Sequence, residues 1–114
     1  MTAKSNPLKL NPLQLRTLAL LQEIARHPEL STVNPETGEV LLSRIPHPHG
    51  DHFHIGAKVV ASRDATGLNN PSVWVALQRK GLAAGQFPHA LRLTVAGLAY
   101  DSSDAGPILH GADH

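Results

Sequence analysis

Two asparagine-proline pairs, Asn11-Pro12 and Asn70-Pro71, each stand at the head of a stretch with helical spacing of apolar residues, and they set the layout of this 114-residue chain. An asparagine side chain accepts a hydrogen bond from the open N–H groups of a first helical turn, and proline suits the first helical position, where a missing N–H costs nothing. Behind the first pair, Leu13, Leu18, Leu21, Ile24 and Ala25 recur at helical spacing, with Gln14, Arg16, Gln22 and Arg26 mostly on the other side. This predicts an amphipathic, core-packing helix of about four turns that ends near Arg26-His27, because Pro28 cannot continue it. Behind the second pair a helix is expected over 71–80, terminated by Gly81.

Between the helices the period changes. Ser31-Thr32-Val33, the stretch 39–45 and His52-Phe53-His54-Ile55 have strand character and are separated by turn formers, so 31–56 reads as a small antiparallel meander. From Ala57 the pattern returns to a short amphipathic helix over 57–65, broken at Thr66-Gly67-Leu68. That helix and the one over 71–80 would form a helix-turn-helix unit. Gly85 and Pro88 are expected in a loop ahead of a strand at 90–93, and Thr94 caps a last short helix over 95–100. Residues 1–10 read as a flexible arm and 101–114 as a mobile tail, leaving one α+β domain over 11–100.

The run from Ala65 to Leu82, ATGLNNPSVWVALQRKGL, followed by Leu91-Arg92-Leu93-Thr94-Val95-Ala96-Gly97, resembles the winged helix-turn-helix of MarR-like regulators. In that family a T-G-L turn precedes the recognition helix, L-x-R-K-G-L closes it, and L-x-L-T-x-x-G leaves the wing. The likeness covers roughly residues 57–100. It implies a supporting helix at 57–65 and a recognition helix at 71–80 whose N-terminal end enters the major groove of double-stranded DNA. Asn69, Asn70 and Ser72 would then contact bases or phosphates, and Arg63, Arg79, Lys80 and Arg92 phosphates. Each also has a purely structural reading: Asn70 is a helix cap, and Arg79 and Lys80 face the negative end of a helix dipole. The chain departs from the family in its β insertion after the first helix and in lacking the long dimerising helices, so oligomeric state stays open, a dimer among the alternatives. Val73, Trp74 and Val75 cannot all face inward at 100° per residue. With Trp74 and Leu77 in the core Val75 lies outside, which suits a protein-binding winged helix as well as a DNA reader.

The segment His47-Pro48-His49-Gly50-Asp51-His52-Phe53-His54 is the other distinctive stretch. Gly50-Asp51 fits a two-residue type II′ hairpin that pairs His49 with His52 and His47 with His54, and opposed residues share a face. Four imidazoles on one side, His47, His49, His52 and His54, are a candidate site for zinc or nickel, with Asp51 as an oxygen donor or orienting partner. The alternative is a solvated, pH-sensitive polar face. The same residues spell H-x-H-x-D-H, which resembles the metal motif of metallo-β-lactamase-fold hydrolases, although the chain is too short for that family's sandwich and later ligands.

Composition narrows the classes further. The chain has no cysteine, so disulfides and thiolate metal sites are excluded. Ten Lys/Arg against nine Asp/Glu leave a charge of +1, which by itself points to no nucleic-acid partner. No apolar run approaches the roughly 18 residues of a membrane span, and the opening MTAKSNPLKLNP does not resemble a secretory signal, so the expected compartment is the cytoplasm. The expectation is a non-enzymatic DNA-binding or regulatory winged-helix module, modulated by metal or pH at the histidine hairpin. The alternatives are a protein-interaction module and, more remotely, a small zinc hydrolase.

Overall fold

A computed structural model describes residues 6–46, 50–105, 108 and 110–111. Among these it contains three α-helices and two antiparallel sheets, an α+β architecture. Helix α1, Pro12–Ala25, starts on the expected Asn11 cap: its side chain accepts from the Gln14 N–H, and the Gln14 side chain accepts in return from the Asn11 N–H, a reciprocal capping box. Strands β1, Ser31–Val33, and β2, Val40–Leu42, form a hairpin whose turn is held by Asn34.

The expected meander does not continue from there. The free edge of β2 is taken by β6, His89–Leu93, and β6 pairs in turn with β5, Ala83–Gln86, giving the order β1-β2-β6-β5. Pro46, which has no N–H to donate, follows β2 closely, and β3, His52–Ile55, belongs to a second sheet. There β3 pairs with β4, Lys58–Ala61, and β4 with β7, His110–Gly111.

The helix expected over 57–65 is therefore replaced by β4 and a 3-10 turn, Ser62–Asp64. Ile55 opposes Lys58, so Gly56-Ala57 is a two-residue hairpin loop with Gly56 at φ +60°, and β-branched Val59 and Val60 favour the strand. Any side chain at Gly56 would also run into the His27 ring, 2.2 Å from the position of a Cβ. A second 3-10 turn, Thr66–Asn69, leads to α2, Pro71–Arg79, so turns rather than a helix precede it. Gly85, expected in a loop, lies in strand β5, whose weak strand formers are held by pairing with β6. Gly85, at φ +113°, sits where that register shifts, with the Ala90 carbonyl oxygen only 2.2 Å from where a Cβ would be. Helix α3, Val95–Ala99, starts on Thr94 as expected.

Helix α1 is the centre of the molecule. Leu18, Leu20, Leu21 and Ile24 are fully buried, together with Trp74 and Leu77 of α2, Leu93 of β6, and Ile55 and Val60 of the second sheet. Trp74 is in the core as predicted, its indole N–H donating to the Leu68 carbonyl at 2.9 Å. Gln22, expected on an outer face, is buried because α3 and the residues after it pack on that side. Its amide donates to the carbonyls of Gly97 and Tyr100 and accepts from the Ser102 hydroxyl. Asn6 exchanges two hydrogen bonds with the Leu10 backbone and accepts one from the Tyr100 hydroxyl, while Ile108 is buried.

Candidate functional site

Helix α2 is amphipathic, and its two faces separate cleanly. Val73, Trp74 and Leu77 point into the core, so a repeat of 3.6 residues brings positions 72, 75, 76 and 79 outward. Ser72 and Arg79 are exposed, and Val75 keeps 41% of its surface in solvent, as expected for the odd member of the 73–75 run. Asn69, exposed at the end of the preceding 3-10 turn, extends this stripe at the positive end of the helix. Asn70 is committed to the cap, its side-chain oxygen accepting from the Ser72 N–H at 3.0 Å.

Of the seven residues proposed from sequence for DNA, Asn69, Ser72 and Arg79 thus lie together on one solvent-facing strip. The others have different surroundings. Arg63 is exposed in the turn 62–64, next to Asp64. Lys80 is half-buried and donates to the Leu8 carbonyl. Arg92 lies in the cross-strand row Thr32, Leu41, Arg92, Ala84, on the sheet face opposite to inward-pointing Leu91 and Leu93, and pairs with Glu39 at 3.7 Å. Among the described residues Arg63 and Arg79 make no ion pair.

Compared with family models, curated proteins and solved structures, the chain matches none. Its chemistry is therefore read from its own side chains.

The strip borders a cleft of about 340 Å³ that sequence reasoning missed. Asn69 and Leu68 form one wall, Leu42, Ser43 and Ile45 another, and the connection 87–91 between β5 and β6 a third. The available signal was Phe87, an aromatic residue in the hairpin connection, whose ring lies 5.9 Å from that of Trp74. The Gln78 side-chain amide donates to the Gly85 carbonyl at 2.6 Å, tying α2 to the hairpin.

The second candidate lies on β3. Phe53 and Ile55 are buried, so His52 and His54 project from the other face, as the alternation of a strand requires. Their Nε2 atoms are 3.1 Å apart, and the rings meet edge to face. His52 Nδ1 lies 3.2 Å from Asp51 Oδ1. That hydrogen bond, with help from the backbone and from imidazolium charge, holds the Asp51 carboxyl below the usual range. Gly50 has the positive φ, +73°, expected at the turn, but His47 and His49 lie outside the described residues, as does the pairing proposed for them. Instead the Asp51 carbonyl accepts from the Ser62 N–H, so the ladder of β3 and β4 reaches past both strand ends. Among the described residues no three metal-ligating side chains converge.

Proposed function

We propose that this chain is a winged-helix module that binds double-stranded DNA through the outer face of α2 and acts in transcriptional regulation. The observation that carries the reading is the strip Asn69, Ser72, Val75 and Arg79, exposed along α2 with amide and hydroxyl groups at its positive N-terminal end and a guanidinium at its C-terminal end. The end of the chain order supports it: α2 runs directly into the hairpin β5–β6, and β2, the second of the four strands between α1 and α2, pairs with β6. In this reading β5–β6 is the wing, and the two 3-10 turns at 62–69 stand where relatives of the fold carry a helix. Duplex DNA at low salt should bind with log affinity falling linearly in log salt, and Arg79→Glu should reduce that slope by about 0.9, one phosphate contact. Absence of binding at ~25 mM salt, where the Debye length is about 20 Å, would reject the reading.

One observation favours a second reading. Val75 is apolar at the centre of the strip, which suits docking of a protein partner. Under that reading Val75→Asp would abolish capture of the partner while DNA had no effect on the protein.

A further inference from the structure

We infer that His52 and His54 form a chelating site for a late d-block cation, copper(II), nickel(II) or zinc(II), with Asp51 as the group that positions His52. The inference is independent of DNA binding.

The geometry comes first. Two imidazole nitrogens bound to one ion at 2.0–2.1 Å stand about 3.4 Å apart at a tetrahedral angle and about 2.9 Å apart at a right angle. The Nε2 atoms of His52 and His54, 3.1 Å apart, fall between these limits before any ion arrives. The pair is held by a strand rather than a loop. Phe53 and Ile55 anchor the opposite face in the core, and β4 pairs with all four residues of β3.

Asp51 orients the His52 ring through a contact of 3.2 Å to Nδ1. In the tautomer of His52 that donates Nδ1–H to the Asp51 carboxylate, the ring lone pair is on Nε2. In that tautomer the 3.1 Å contact between the two Nε2 atoms has His54 Nε2–H as its donor. A bound ion would take both Nε2 lone pairs, which requires each ring to carry its proton on Nδ1. A carboxylate on the far nitrogen of a ligating histidine also makes the ring a better donor, the arrangement seen repeatedly around bound zinc. Affinity of a nitrogen site for divalent first-row metals peaks at copper, so copper(II) should bind most tightly, with nickel(II) and zinc(II) weaker. Magnesium, which demands oxygen ligands, should not bind.

The test uses the untagged full chain in metal-free buffer, titrated with copper(II), zinc(II) or magnesium chloride and followed by calorimetry and by the histidine ring resonances. Copper(II) at sub-stoichiometric amounts should broaden the His52 and His54 rings first. His52→Ala and His54→Ala should each weaken copper and zinc binding about 10-fold or more. Asp51→Asn should weaken it by a smaller factor and shift the His52 tautomer, which ring nitrogen chemical shifts report directly. Both histidines face outward, so the variants should fold, and the wild-type broadening pattern needs no variant at all. Wild-type copper affinity in both alanine variants, or broadening confined to other histidines, would overturn the site and leave an imidazole pair that shares only a proton.

Discussion

Helices α1 and α2 begin alike and end in opposite surroundings. Each is opened by asparagine and proline, and in each the asparagine side chain accepts from a first-turn N–H. Yet α1 is covered on almost every side, while α2 buries one face and leaves Ser72, Val75 and Arg79 in solvent. The polar residues of α1 consequently hold the molecule together. Gln22 fastens the segment after α3, and Glu23 is nearly buried between Arg26 and His27, with contacts at 2.6 and 3.1 Å. Among the described residues, the side chains of Ser72 and Arg79 on the outer face of α2 have no such internal task. A shared start signal therefore says where a helix begins, while its neighbours decide whether its side chains serve stability or recognition.

Substitutions sharpen this contrast. The largest effect should come from the common core: Leu21→Ala and Trp74→Ala each empty a fully buried position and should cost about 3 kcal/mol or more, read by denaturant unfolding. Glu23→Gln comes next, at about 2 kcal/mol, because the hydrogen bonds it loses join charged groups. Burial pushes the Glu23 carboxyl up, but hydrogen bonds from His27 and Arg26 and the charges of Lys58 and Arg26 outweigh it and hold the group below its ordinary value. A depressed folded-state pKa gives stability that is complete above about pH 4.3 and lost as pH falls through the folded value. Melting temperature should accordingly drop more steeply below pH 4.3 in wild type than in Glu23→Gln. Equal slopes would remove Glu23 as an acid-sensitive anchor.

Much of this arrangement was readable in the sequence wherever the signal was local. Asn11, Asn70 and Thr94 cap the helices they precede, Trp74 is in the core, Val75 is outside, and His52 and His54 share a face. What escaped depends on partners distant in sequence. Residues 58–61 are apolar enough for a short helix, but the Gly56-Ala57 turn folds them onto β3. Ala83-Ala84-Gly85-Gln86 has almost no intrinsic strand character and becomes a strand through β6. Helical spacing identified one apolar side of α1 but could not reveal that the 3-10 turn Thr66–Asn69 and the turn Ser103–Ala105 after α3 would pack on it as well. Of the candidate DNA residues the chemistry was legible and the company was not, since neither the Arg92–Glu39 pair nor the Lys80–Leu8 hydrogen bond follows from spacing.

Smaller effects separate the two helices at their shared feature and on their surfaces. Asn11→Ala and Asn70→Ala should each cost about 1 kcal/mol, because the same cap is lost. A much larger loss at Asn70 would mean that its helix start has a further structural task. Val75→Ala and Arg79→Glu should change unfolding free energy by no more than about 0.5 kcal/mol, as ordinary surface positions do. Arg92→Glu should weaken DNA binding less than Arg79→Glu, since Arg92 already has Glu39 as a partner.

The most direct test of the α2 strip is amide chemical-shift mapping of the full chain with a short duplex at ~25 mM salt. The largest changes should fall at Asn69, Ser72, Val75 and Arg79, with the β5–β6 turn next and the interior of α1 unmoved. Changes spread evenly over the basic residues, or confined to the sheet face that carries Arg92, would contradict recognition by this helix.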